Sequence, residues 1–164
     1  GAGSSRVVNV SSGGMYTQAL NVDDPMWSER DYDGVRAYAE TKRAQVVLAE
    51  MWAERLRERG VDVSAMHPGW ADTPAVETSL PRFHQLTQAI LRTPDEGADT
   101  VVWLAACPRD RVRSGAFYFD RKARRTHLLP WTRETQGERD ALWAMCERIS
   151  GEGSADAAGA RANS

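Results

Sequence analysis

The order of periodic segments predicts an α/β protein with a parallel sheet and helices on both faces. Short β-branched or aromatic runs at Arg6–Val10, Val61–Met66 and Phe117–Phe119 alternate with helical patterns. The intervals between these runs suit crossover helices and are too long for hairpins. Connections of that length between parallel strands give a β-α-β-α-β order.

Arg6-Val-Val-Asn-Val10 is bounded by Ser and Gly and reads as a buried parallel strand. Ser11 to Asp33 is a long irregular connection, of the kind that usually serves function. A helix is expected from about Val35 to Arg59, stopped by Gly60 at the C′ position. On a helical wheel Val46, Leu48, Ala49, Trp52, Ala53 and Leu56 share one broad arc, with Tyr38 and Lys42 within it. Arg43, Glu50, Glu54, Arg57 and Glu58 lie opposite. Ala44, Val47 and Met51 form a smaller apolar patch on the far side, either a subunit contact or ordinary exposed surface. The strand ending at Met66 leads directly into His67-Pro-Gly-Trp-Ala-Asp-Thr-Pro74. Thr93-Pro-Asp-Glu96 is a capping box with Pro at the first helical position, so a helix should run to about Cys107. Thr135-x-x-Glu138 caps a terminal helix with Leu142, Met145, Cys146 and Ile149 inward. Residues 151–164 are small and polar and are expected to form a disordered tail.

Bulk composition narrows the function classes. A hydrophobic content of 41% and a net charge of −2 fit a globular domain and provide no electrostatic footprint for nucleic acid. The densest basic cluster, Arg121-Lys-Ala-Arg-Arg125, is read as surface. Cys107 and Cys146 lie far apart, so neither a zinc site nor a disulfide framework is expected, and a cytoplasmic location is the default. No apolar run approaches the ~18 residues of a membrane span.

Chemistry enters through lysine. Lys42 and Lys122 are the two lysines in the sequence, and each follows a tyrosine by four residues. In Tyr38-Ala-Glu-Thr-Lys42 the spacing falls on a helix, where such residues are neighbours about 5–6 Å apart at Cβ. Tyr118-Phe-Asp-Arg-Lys122 starts in a strand, where four residues would separate the side chains by about 13 Å. The first pair can share a proton-transfer task and the second cannot. A phenol titrates near pH 10 in water, and an ammonium one helical turn away favours the phenolate. Such a pair makes a general acid/base for an oxygen substituent.

Asn9-Val-Ser-Ser12, Tyr38-x-x-x-Lys42 and Pro68-Gly-x-x-x-Thr73, in that order and on those elements, resemble the second half of a short-chain dehydrogenase/reductase. The resemblance runs from about Arg6 to Leu128. The long gap between Ser12 and Tyr38 is similar to the retinol-dehydrogenase-like branch, and Val10-Ser-Ser-Gly-Gly-Met15 and Asp120-Arg-Lys to an orphan subgroup of it. The resemblance implies a partial Rossmann-type doubly wound sheet, with residues 1–150 the C-terminal catalytic half of one domain. It also implies an NAD(P)-dependent oxidoreductase interconverting an alcohol and a carbonyl on a small, apolar molecule. Ser12 would hold the reacting oxygen, with Ser11 the less favoured alternative, and Tyr38 would exchange its proton. Lys42 would in addition meet the nicotinamide ribose, and Pro68, Gly69, Ala71 and Thr73 would cup the nicotinamide. Met15, Trp27, Trp70 and Phe83 are candidates for an apolar substrate pocket, residues 75–92 occupy the place of a substrate lid, and His67 reads as structural.

The glycine-rich strand-to-helix turn that holds a dinucleotide pyrophosphate is not in this sequence. The N-terminal nucleotide-binding half is therefore expected upstream of Gly1, together with the residue that chooses NAD or NADP. These residues alone should bind a dinucleotide weakly, and a homo-oligomer of the full-length protein is left open. The rival from another class is a non-catalytic dinucleotide-fold protein used for binding or regulation. A serine hydrolase lacks its Gly-x-Ser-x-Gly elbow here.

Overall fold

A four-stranded sheet carries the molecule, with β1 (Arg6–Val10), β2 (Asp62–Met66), β3 (Phe117–Phe119) and β4 (Lys122–Arg124) adjacent in that order. The computed structural model describes residues 5–69 and 92–161. Within it β1 pairs parallel with β2 from Arg6↔Asp62 to Val10↔Met66, and β2 pairs parallel with β3 at Ala65↔Phe117 and Met66↔Tyr118. The antiparallel strand β4 is an addition to the β-α-β-α-β reading. It pairs with β3 across a two-residue turn, Asp120-Arg121, in which both residues have positive φ, 52° and 56°. Two consecutive positive φ values are the backbone of a type I′ hairpin turn.

The helices cover opposite faces because alternate strand residues point opposite ways. Helix α1 (Gly34–Arg55) packs Val46, Ala49 and Ala53 on Val63, Ala65 and Phe117, with Met15 in the same cluster. Helix α2 (Pro94–Ala106) packs Leu104 on Met66, Ala116 and Tyr118 of the other face. The doubly wound arrangement follows. Burying one such aliphatic side chain contributes about 1.5–3 kcal/mol, so the alternation also fixes the register. The predicted capping box of α2 is present, with Thr93 and Glu96 bonding reciprocally. At the other end Arg6 donates to the carbonyls of Leu104, Ala105 and Cys107, tying the last turn of α2 to β1.

Helix α1 ends at Arg55, and a 3-10 turn then carries the chain to Gly60, whose φ of 70° is the left-handed conformation expected at that stop. The terminal helix α3 (Gln136–Arg161) begins at the predicted Thr135/Glu138 box. Its helical backbone takes in residues 151–161, which composition assigns to a tail.

Two readings of α1 are corrected by what covers its far side. Val47 and Met51 are not a subunit contact; they are buried against Leu20 and Leu142, the latter from α3. Arg43, placed by the wheel on the charged face, is 0% exposed. It donates to the carbonyls of Gln18 and Thr126 and approaches His127 Nδ1 at 3.0 Å. Burial pushes its guanidinium down from the ordinary arginine value, with the carboxylates of Glu134 and Glu50 acting the other way. A wheel assigns faces from one helix alone, and here the returning chain at 126–134 and α3 cover what it calls surface. Ile149, expected inward on α3, is half exposed.

Candidate active site

The segments leaving the carboxyl ends of the parallel strands come together. Ser11-Ser12 follows β1, His67-Pro68-Gly69 follows β2, and Asp120 follows β3. Ladder bonds continue past the strands, from Ser11 N to Met66 O at 2.7 Å and from His67 N to Tyr118 O at 3.1 Å. The crevice outside strand carboxyl ends is where open α/β sheets bind ligands.

Helix α1 delivers Tyr38 and Lys42 to this end because it runs antiparallel to β1. Asn9 Nδ2 reaches Gln45 O, while one turn earlier Ser11 Oγ donates to Lys42 O at 2.8 Å. The first turns of α1 therefore overhang the strand ends. This corrects the inward reading of the pair: Tyr38 is 52% exposed, on the part of the arc that has passed beyond the sheet. Lys42 Nζ lies 5.5 Å from the Tyr38 ring centroid. It donates to Val10 O and to Gln45 Oε1, each at 3.2 Å, which leaves a third N–H uncommitted among the described residues.

The two serines are separated by geometry. Ser11 is buried and its hydroxyl is spent on the backbone of α1. Ser12 Oγ accepts from Gly14 N at 3.2 Å as the cap of a short 3-10 turn, so its own proton remains available. A Cβ on Gly14 would stand 3.7 Å from Ser12 Oγ and 3.9 Å from Tyr38 Cε1. Serine hydroxyl and phenol ring thus border one small space, kept open by a glycine.

His67 stacks flat on Phe119, centroids 4.1 Å apart and planes 8° apart, and more loosely on Phe117. Its Nδ1 accepts from Gly69 N at 3.2 Å, so the ring orders the turn after β2. Burial, then the nearby Arg92 guanidinium, lower its pKa to about 4. Gly69 has φ 81°, a conformation that a side chain would strain.

Other candidates fare differently. Met15 is fully buried in the core, so it cannot face a pocket; its neighbours Val46 and Ala49 explain the apolar side chain there. Trp27 is half-buried under the Arg30 guanidinium, 3.6 Å from its ring, with the Tyr32 ring edge-on at 5.6 Å. Trp70, Ala71, Thr73 and Phe83, and residues 75–91 of the expected lid, lie outside the described residues. The sequence reading missed Arg92 and Asp120 at this end, and only the aspartate so close after a strand could have signalled them. No group of three or more His, Cys, Asp or Glu among the described residues is arranged to hold a metal, and no described helix is long and apolar enough to cross a membrane.

The second Tyr–Lys pair fails by a different route from the one expected. β3 stops at Phe119, and the chain turns back before Lys122. Tyr118 is 3% exposed on the α2 face, its hydroxyl accepting from Arg113 N at 2.8 Å. Lys122 is exposed opposite Phe119, on the other face.

No family model matches the chain. Over 147 residues it is 46% identical to Dehydrogenase/reductase SDR family member 12 of Bos taurus, covering 88% of this chain and 46% of that protein. It is 32% identical to Retinol dehydrogenase 14 of Homo sapiens over 158 residues, 90% of this chain and 44% of that protein. The chain spans about half the length of the curated relatives it matches. A solved structure of an uncharacterised Mycobacterium paratuberculosis protein superposes with a TM-score of 0.65 at 24% identity, covering 90% of this chain and 51% of that one, which is a likeness of fold. With the strand order, the helices on both faces and these identities in hand, the chain belongs to the short-chain dehydrogenase/reductase family.

Proposed function

We propose that this chain carries the acid/base machinery of an NAD(P)-dependent oxidoreductase that interconverts an apolar alcohol and its carbonyl. The observation that carries the reading is the shared space at Gly14, bordered by Ser12 Oγ and the Tyr38 ring, with Lys42 Nζ beside that ring. Relatives named as dehydrogenases and reductases support the oxidoreductase class.

The described residues fit the nicotinamide end of a dinucleotide. Lys42 has an N–H to spare for a ribose hydroxyl, and Gly69 holds a side-chain-free backbone turn at the same strand ends. A bound dinucleotide would supply the hydride chemistry, with Lys42 and Gly69 holding its nicotinamide end. Ser12 donates a hydrogen bond from its hydroxyl to the reacting oxygen and fixes its position. Tyr38 gives its phenolic proton to that oxygen in reduction and takes it back in oxidation. The Lys42 ammonium stabilises the phenolate that this leaves, and the carbonyls of Val10 and Gln45 side chain keep the ammonium in place. Exposed Met26, Tyr32 and Val35 lead up to Tyr38, Val35 one helical turn before it, and favour an apolar substrate.

The test is dinucleotide oxidation by the full-length polypeptide against a panel of aldehydes and ketones. Tyr38→Phe should lower kcat by about 10²–10⁴ while the dinucleotide Kd stays near the wild-type value. A wild-type protein that binds dinucleotide and turns over nothing in the panel, or a Tyr38→Phe variant of undiminished rate, would favour the binding or regulatory role instead.

A further inference from the structure

The turn after β2 is braced by a side-chain stack that the acid/base site does not use. A Cβ on Gly69 would come 2.8 Å from Arg92 Nε and 3.1 Å from Arg92 Cζ, so the guanidinium lies across the glycine Cα. Arg92 is in turn held by Asp120 through both carboxylate oxygens, Nη2 to Oδ2 at 2.9 Å. It also sits 4.6 Å from the centroid of Phe119, whose ring carries His67. His67 Nδ1 closes the circuit by accepting from Gly69 N. Gly69 therefore has an imidazole on its N–H and a guanidinium against its Cα.

The β3–β4 turn presents Asp120 to this brace. Positive φ at Asp120 and Arg121 costs free energy in residues with side chains, and Arg tolerates it less than Asp or Asn. Neighbouring contacts hold the conformation: Arg92 on Asp120, Asp99 on the Arg121 guanidinium, and Thr100 Oγ1 on Arg121 N. Strain that several contacts jointly maintain is a mark of a functional position. Each carboxyl is held below the ordinary aspartate range, by Arg92 at Asp120 and by Arg121 at Asp99.

We propose that Arg92 and Asp120 are positioning residues that fix the Pro68–Gly69 backbone against the nicotinamide end of the dinucleotide. The proposal rests on the reading of Gly69 given under Proposed function, with Pro68 beside it in the segment that the resemblance assigns to the nicotinamide. The bidentate pair sets the plane of the guanidinium, and that plane sets how close a ligand can approach Gly69. A lysine at 92 keeps the charge and loses the plane.

Arg92→Lys and Asp120→Asn in the full-length polypeptide test it with two measurements. In dinucleotide-free protein, amide hydrogen exchange at Gly69 should quicken by about tenfold or more. In the enzyme, KM for the dinucleotide should rise by about tenfold while KM for the carbonyl substrate holds. The double swap Arg92→Asp with Asp120→Arg should recover part of both. Unchanged Gly69 exchange, or a dinucleotide KM equal to wild type in both variants, overturns the proposal. Faster Gly69 exchange in a protein whose wild type binds no dinucleotide supports the brace and sinks the functional reading.

Discussion

In Tyr38-x-x-x-Lys42 the four-residue spacing is used inside α1, so phenol and ammonium share a helix face at the open end of the sheet. In Tyr118-x-x-x-Lys122 the same spacing is used on a hairpin turn, and the side chains finish on opposite faces of β3–β4. One tyrosine is half exposed with no hydrogen-bond partner for its hydroxyl among the described residues; the other is buried and bonded to Arg113 N. A motif of residue types thus has chemical content only through the element that carries it. The contrast also separates two uses of tyrosine, as a reacting group and as a packed ring with a satisfied hydroxyl.

The largest effect expected from this contrast is on turnover. Tyr38→Phe should cost about 10²–10⁴ in kcat. Tyr118→Phe should leave kcat within about twofold and instead cost about 1–2 kcal/mol of stability, since Arg113 N loses its buried acceptor. Urea unfolding and steady-state rates on the same preparations check both. A turnover loss in Tyr118→Phe as large as in Tyr38→Phe would erase the distinction. Among the lysines, Lys42→Ala should lower kcat and raise the dinucleotide KM together, as expected of a group serving both proton transfer and ribose. Lys122→Ala, exposed on the edge strand, should change stability by no more than about 0.5 kcal/mol and leave both constants alone.

The sequence reading succeeded where the signal is local. Thr93/Glu96 and Thr135/Glu138 are capping boxes that three-residue spacing discloses, and Gly60 marks its left-handed stop in the same way. The parallel strands were legible as short apolar runs. β4 was not, because Lys122-Ala-Arg124 is exposed on both sides and its turn, Asp120-Arg121, lacks the Asn-Gly or Asp-Gly signal of a type I′ turn. Arg43 was misplaced because its burial depends on carbonyls 25 and 83 residues distant, at Gln18 and Thr126. Met15 was misread for a related reason: an apolar residue beside a reactive serine can serve the core as well as a pocket, and only the packing of α1 decides. At the site, residue types and order pointed to Ser12, Tyr38 and Lys42. The resemblance already favours Ser12 over Ser11, and the bonded Ser11 hydroxyl adds a physical reason, whereas Arg92 was not legible because it reaches Gly69 from a distant segment.

The smallest expected effect is a pH dependence to which the β3 side of the molecule contributes through His67. His67 lies against Phe119, with Arg92, Asp120 and Arg124 the charged groups around it. Burial, followed by Arg92, moves its pKa from 6.5 to about 4, while Asp120 opposes. Between those values the unfolded chain takes up a proton that the folded chain refuses. The contribution is therefore complete above about pH 6.5 and is lost as pH falls towards about 4. His127 is shifted in the same direction by burial and Arg43, so it adds a slope of the same sign. His67→Phe keeps a flat ring on Phe119 and cannot titrate. Its unfolding free energy should fall less steeply than wild type between pH 6.5 and 4, with the residual slope left to His127 and, towards pH 4, to the carboxyls that their partners hold low, Asp24, Glu40, Asp62, Asp99, Asp120 and Glu138. Tyr38→Phe should keep the wild-type slope, because it removes none of these shifted groups. Equal slopes in wild type and His67→Phe would mean that the imidazole is open to water in solution, and the stack that orders Gly69 would lose its support.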